Sequence, residues 1–406
     1  MGSSLGRGEA RCGTLSAVDI YLDHNATTPV PPQVVEAMAP FLFQEYGNPS
    51  SRHSRGRAAQ DAVGRARERV AAFLGAAPAE IVFTASGSES NNLAIRGAAL
   101  GGLTTGRRTI VTQATEHPSV LAACHALSRL HGFRLVTVGV DRFGSVDLDE
   151  LRGAVDQTTL LVSIQVANGE TGTLQPIREV ADIARRCGAV FHADACQATG
   201  KVGLDVRQLG VDLLSVAGHK MYGPKGVGAL YRRDDLPLEP VIYGGGQEHG
   251  ARAGTENVSG VVGLSAACDV AERAANDGGR VRLLRDTLFE ALRSGVRRKV
   301  CLNGHPTDRL PNTLNVSIDG LTGRSVLACA DGVAASTGSA CHADKQDPSP
   351  VLTAMGCDPD RALGAVRLSL GDGTQADELR RAVYILARAT SAAAGTDTEA
   401  AHYAVY

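Results

Sequence analysis

The chain has 406 residues, 43% of them apolar, with 47 glycines and a formal charge of -2. That length supports a large core and two domains, and the apolar fraction is ordinary for a soluble enzyme. The charge offers no field for nucleic acid or an anionic membrane. No run of about 18 apolar residues suits a membrane span, and the start lacks the apolar stretch of a secretion signal, so a cytoplasmic location is expected.

Residues 1–17 read as a flexible tail. Tyr21-Leu22-Asp23 is short and apolar-led, Asn25 to Pro29 reads as a turn, and Pro31-Pro32 opens a helix through about residue 43. A polar loop then leads to a long helix over 55–74, where apolar residues recur near helical spacing. A strand at 81–84 runs into Ala85-Ser86-Gly87-Ser88 and a helix over 92–100. Strand, small-residue turn and helix start make an anion cradle, with plain helix capping as the alternative for Ser88.

Strands follow at 109–112, 133–138, 159–165, 190–193, 211–215 and 227–231, with helices at 117–130, 148–155 and 177–186. This alternation predicts an α/β architecture, a largely parallel sheet covered by helices on both faces. Ligand groups then gather at the carboxyl ends of the strands. Ser88, His117, Asn168, Asp194, Gln197, His219 and Lys220 all lie at or beyond such ends. A glycine-rich stretch over 243–257 closes the first domain. Helices at 261–274, 281–293, 324–330, 350–355 and 376–391 and strands at 313–318, 332–335 and 366–370 make a smaller α+β unit. The expected division is a tail over 1–17, a large domain over 18–260 whose first residues pack on the small one, a small domain over 261–392, and a tail over 393–406.

The chemistry concentrates in Ser215-Val216-Ala217-Gly218-His219-Lys220. A lysine at a strand end can form a Schiff base with an aldehyde, Asp194 can pair with a ring nitrogen, and small polar groups can hold a phosphate. Those are the needs of pyridoxal 5'-phosphate. Taken singly, Lys220 reads as a surface lysine, Asp194 and His117 as caps, and Thr255 as a turn residue. Of nine cysteines none forms a CxxC pair, so no metal is expected and free thiols in a reducing compartment are. Cys341 stands apart: small residues lead into it and a polar, charged stretch follows, as on an exposed loop.

Together these motifs resemble the cysteine desulfurases and selenocysteine lyases of the class V aminotransferase group. The resemblance runs from Tyr21-Leu22-Asp23-His24-Asn25 through Gly47-Asn48-Pro49-Ser50, Glu116-His117, Asp194-Ala195-Cys196-Gln197 and Gly338-Ser339-Ala340-Cys341 to Arg367-Leu368-Ser369. It implies the pyridoxal-phosphate transferase fold type I: a large domain with a mainly parallel seven-stranded sheet, plus a small α+β domain. It implies that Lys220 is the Schiff-base lysine and proton shuttle, Asp194 the ring-nitrogen partner, Gln197 a contact of the ring hydroxyl and His117 a stacking group. Ser88, Ser215 and His219 would hold the phosphate, and Thr255 would reach the phosphate of a neighbouring subunit in a homodimer. Asn25, Asn168 and Arg367 would bind substrate. Cys341 would be the nucleophile that takes sulfur from L-cysteine as a persulfide, passing it to an acceptor protein. Selenocysteine lyase acting on L-selenocysteine is the enzyme alternative, suggested by Ala340-Cys341-His342-Ala343-Asp344. Another class V enzyme or a non-catalytic scaffold are the others. Two positions depart from the family pattern: Asn168-Gly169-Glu170 lacks a second asparagine, and Cys196 stands where alanine or threonine is common.

Overall fold

The computed structural model describes residues 20–338 and 347–403, with side chains described to residue 395. Twelve strands are described: β1 Ile20–Tyr21, β2 Ile81–Thr84, β3 Thr109–Gln113, β4 Arg134–Val138, β5 Thr159–Ser163, β6 Val190–Asp194, β7 Leu213–Ala217, β8 Gly228–Arg232, β9 Val300–Asn303, β10 Thr313–Ile318, β11 Val333–Ala334 and β12 Ala365–Ser369.

Seven of them form one sheet in the order β2-β8-β7-β6-β5-β3-β4. Only β8 runs antiparallel to its neighbours, β2 and β7. The other pairs are parallel, as the strand–helix alternation predicts. Side chains alternate across this sheet. Ile81, Phe83, Val111, Val162, Phe191, Leu214, Val216 and Tyr231 enter one buried cluster; Val82, Ile110, Leu161, Leu213 and Leu230 enter another. The helices Ser54–Leu74 and Ile177–Arg186 cover the first face, and Gly87–Gly101 and Pro118–His131 cover the second. Burial on both faces is what makes these strands read as continuous apolar runs.

A third cluster lies around the antiparallel sheet β12-β10-β9 and the helices Gly278–Gly295 and Ala376–Tyr403. Ile20 and Leu22 belong to it, and β1 pairs in parallel with β11.

Several elements differ from the sequence expectation, each for a local reason. The first helix is two helices, Pro32–Met38 and Pro40–Phe43, because Pro40 has no N–H to continue the ladder. The helix after β2 begins at Gly87, earlier than its apolar spacing suggests. The Ser86 hydroxyl accepts the Glu89 N–H at 3.1 Å and caps it. The last helix runs to Tyr403, past the end of its apolar stripe near residue 391.

Candidate active site

The carboxyl ends of the parallel strands share one edge, and the residues read from the sequence as chemical gather there. Asp194 closes β6 and is buried. Its Oδ1 accepts the Cys196 N–H at 2.9 Å and its Oδ2 accepts Asn91 Nδ2–H at 2.7 Å. A buried carboxylate needs such donors, since taking a charge out of water without partners costs many kcal/mol. Lys220 ends the single helical turn after β7, and its Nζ donates to the Asn25 carbonyl at 2.8 Å. The same carbonyl accepts Gln197 Nε2–H at 3.1 Å. Gln197 is held in turn by Lys201, whose Nζ donates to the Gln197 carbonyl at 2.9 Å and to Gln197 Oε1 at 3.1 Å. Lys201 is itself buried. Its ammonium is pushed well below the usual lysine range by desolvation, then by Lys220 and Arg367.

His117 caps the helix Pro118–His131 and is exposed. Its pKa is lowered by desolvation; Asp194 pulls it up and Lys220 pushes it down. His219 bonds through Nδ1 to Thr27 Oγ1 at 3.2 Å, and burial beside lysines brings it down to about 4. Ser88 is exposed on the first turn of the helix that Ser86 caps, so capping does not occupy it. Gly87 makes the close approach there. A Cβ at that position would lie 2.5 Å from Cys196 Sγ and 3.0 Å from the Ala217 Cβ. Strand end, helix start and an open hydroxyl lie together there, the arrangement an anion cradle requires.

Arg367 lies in β12 and is almost fully buried. Its Nη2 pairs with Asp23 at 2.7 Å and its Nη1 donates to the Gly169 carbonyl at 3.1 Å. Its Nε has no partner among the described residues. A guanidinium carries five N–H groups, and the two bonds named here leave others for a carboxylate ligand.

Not every expected residue meets the others. Ser215 lies within β7, fully buried, and its hydroxyl bonds His192 Nε2 at 3.0 Å, while His192 Nδ1 bonds Ser163 at 2.8 Å. The residue of β7 beside the cradle is Ala217. Asn168 uses its side chain locally: Oδ1 accepts the N–H groups of Glu170 and Thr171, and Nδ2 donates to the Thr115 carbonyl. The Asn25 amide donates to the Gly169 carbonyl and Thr313 Oγ1, so its backbone carbonyl is what faces Lys220. Thr255 is exposed on the loop after Gly254. Cys341 and His342 lie outside the described residues. The chain on either side of that segment is tied near Arg367, since Ser336 Oγ bonds Asp23 at 3.0 Å and Ser349 Oγ bonds Glu170 at 2.6 Å.

Sequence reasoning missed Asn91, Ser119, Asp23 and Lys201. Asn91 was findable, one helical turn after Ser88. Lys201, four residues past Gln197, gave no signal by its residue type alone.

Two predictions arise from this geometry. A Cβ at Gly169 would stand 2.7 Å from Gln197 Nε2, which donates to the Asn25 carbonyl on a side chain whose Oε1 is held by Lys201. Gly169→Asn is therefore expected to displace Gln197 rather than restore a useful amide. A lost hydrogen bond of about 1–3 kcal/mol corresponds to roughly a tenfold or greater drop in kcat/KM or cofactor affinity. Unchanged values in a kinetic series and a cofactor titration would show that Gln197 is free to move.

Glu116 is fully buried, with Oε1 accepting from Gln113 and Gln165 and Oε2 unpartnered among the described residues. Desolvation raises its carboxyl to about 8, against the hydrogen bonds from Gln165 and Gln113. The folded state thus holds this proton more tightly than the unfolded chain. Its contribution to stability is full below the unfolded pKa of 4.5 and is lost as pH rises toward 8. Every tenfold gain in proton affinity on folding is worth about 1.4 kcal/mol. Glu116→Gln keeps the accepting oxygen, so denaturation midpoints at pH 5.5 and pH 8.5 should converge in the variant. Persistence of the wild-type pH slope would place its origin elsewhere.

A family profile described as aminotransferase class-V matches residues 20–381. The cysteine desulfurase IscS of Methanosarcina thermophila is 44% identical over 370 residues, covering 90% of this chain and 91% of that protein. Among solved structures, a NifS-like protein aligns with a TM-score of 0.86 and 37% identity, over 92% of this chain and 100% of its own. SspA, solved in complex with cysteine, aligns with a TM-score of 0.76 and 36% identity over 86% of this chain and 98% of its own. The seven-stranded sheet with its helices is the fold type I architecture that the motifs implied, and the chain belongs to the aminotransferase class-V family.

Proposed function

We propose that this chain is a pyridoxal-phosphate-dependent cysteine desulfurase, which converts L-cysteine to L-alanine and hands the sulfur onward. The observation that carries the reading is the convergence of Lys220, Asp194 and Arg367 on one edge of the sheet and β12, in a chain 44% identical to a cysteine desulfurase. The neighbour solved with cysteine supports the choice of substrate.

The residues present fit the cofactor. An amine, a buried carboxylate and a helix start with an open Ser88 hydroxyl lie on one edge, with Gly87 keeping the cradle free of a Cβ. When bound, the cofactor supplies an aldehyde that takes an amine and a ring that withdraws electrons from the substrate α-carbon. Lys220 would hold the aldehyde and then move the proton at that α-carbon. Asp194 would keep a proton on the ring nitrogen, and Ser88 and His219 would hold the phosphate. Arg367 would bind the cysteine carboxylate through its remaining N–H groups, held in orientation by Asp23 and the Gly169 carbonyl.

Cys341 would act as a thiolate, the form that attacks sulfur. One S–S bond forms between Cys341 and the substrate sulfur as the substrate C–S bond breaks. A proton delivered to the β-carbon completes alanine, and the sulfur remains on Cys341 as a persulfide until an acceptor protein takes it.

The exposed Ile242, Tyr243 and Thr255 on one loop support a homodimer in which Thr255 serves the neighbouring subunit's phosphate. A cytoplasmic location is in keeping with the free thiols among the described residues. The direct test compares alanine formation from L-cysteine and L-selenocysteine on one preparation and assays persulfide at Cys341. Turnover of cysteine with a persulfide supports the reading, whereas turnover of selenocysteine alone moves it to a lyase.

A further inference from the structure

Behind Asp194 a run of hydrogen bonds leads to His117, and its direction can be worked out atom by atom. Asn91 is buried, and its Nδ2 stands 2.7 Å from Asp194 Oδ2 and 2.9 Å from Ser119 Oγ. Turning the amide over would set Oδ1 against the carboxylate, acceptor to acceptor. The charge of Asp194 therefore fixes the amide with its two hydrogens on these two oxygens. This leaves a buried Oδ1 with no partner among the described residues, and the charged hydrogen bond to Asp194 is the stronger influence on orientation.

With the Asn91 hydrogen accepted at Oγ, the Ser119 hydroxyl has its own hydrogen left to donate. Its other neighbour is His117 Nδ1, at 2.7 Å. The same Nδ1 accepts the Ser119 backbone N–H at 3.1 Å. Two donors aimed at Nδ1 leave no room for a proton there, so the ring carries it on Nε2.

We propose that Asn91 and Ser119 are positioning residues through which the Asp194 carboxylate fixes His117 as the neutral imidazole protonated on Nε2. The charged groups that face His117 are Asp194 at the end of β6, which favours the imidazolium, and Lys220 after β7, which disfavours it. Neither selects between the two ring nitrogens; the Ser119 hydroxyl, turned by Asn91, does so together with the Ser119 backbone N–H. The consequence for turnover rests on the function proposed above: His117 presents a donor, not a base, on its Nε2 edge. The partner that gains from this is an acceptor in the reacting group, such as an oxygen, nitrogen or sulfur that must be protonated.

The test is nitrogen NMR on the full chain carrying ¹⁵N-histidine, as isolated and after cofactor removal, with His117 assigned by its loss in His117→Gln. The wild type should show His117 with a protonated Nε2 and an unprotonated Nδ1. In Ser119→Ala only the backbone N–H of residue 119 still aims at Nδ1, so the Nδ1-protonated form should gain population and the titration midpoint of His117 should move to higher pH. Ser119→Thr should restore the wild-type pattern, which a merely structural defect would not allow. An Nδ1-protonated His117 in the wild type, or an unchanged tautomer and midpoint in a folded Ser119→Ala, overturns the proposal. These readouts do not need cysteine turnover, so they stand apart from any failure of the desulfurase reading.

Discussion

Lys220→Ala is expected to abolish alanine formation from L-cysteine, with a loss of at least about 10³-fold. Two functions leave with one side chain. The amine in the turn after β7 is the group that would hold the cofactor aldehyde, and it is the group that would move the proton at the substrate α-carbon in the proposed reaction. General acid–base catalysis by a positioned group contributes roughly 10² to 10⁴ on its own. Lys201 is not a substitute. Its Nζ is committed to Gln197, and its pKa is already depressed by burial. The measurement is a single-turnover alanine assay together with absorbance of the protein. Loss of the lysine-linked cofactor band with retained free cofactor is the expected spectrum. Turnover within tenfold of wild type would remove Lys220 from the mechanism.

Cys341→Ala separates sulfur removal from cofactor handling. The residues that would bind the cofactor and the substrate carboxylate are elsewhere, on β6, the turn after β7, β12 and the helix Gly87–Gly101. The variant should therefore keep full cofactor occupancy and still bind cysteine. Without a thiolate no S–S bond can form, so alanine formation should fall by two to three orders of magnitude, and no persulfide should be detected by mass. Full turnover of cysteine would transfer the nucleophile's role to another group.

The sheet was legible because its strands are buried on both faces and separated by helical patterns; their ends, and hence Asp194, His117 and Lys220, followed from the alternation alone. What the sequence conceals is register and partnership. The strand carrying Ser215 runs on to Ala217, and the two share a strand face because side chains alternate with period two. Hydroxyl chemistry pointed to Ser215, yet the position beside Gly87 is the later one. β9 was missed because it is only four residues long and mostly half-buried, with no clean alternation. Asn91 acts through Ser119 and Asp194, on other elements of the chain, and such a pairing leaves no periodic trace; Ser119 and Lys201 act on His117 and Gln197 close by, where residue type alone gives no signal.

The placement of Ile20 and Leu22 bears on how the molecule is made. They pack with Val366, Leu379 and Leu386, and β1 pairs with β11 across more than three hundred residues of chain. The seven-stranded sheet can close from residues already emerged from the ribosome, whereas β1 must wait for the last third of the chain. Such a long loop closure is slow to form, since its entropic cost precedes any contact that repays it. Asp23 follows that strand directly and Arg367 arrives with β12, so their ion pair is among the last to assemble. The nascent chain thus passes through a stage in which the lysine edge is folded and the carboxylate clamp is not, and a reactive pocket is completed only once β12 has been made.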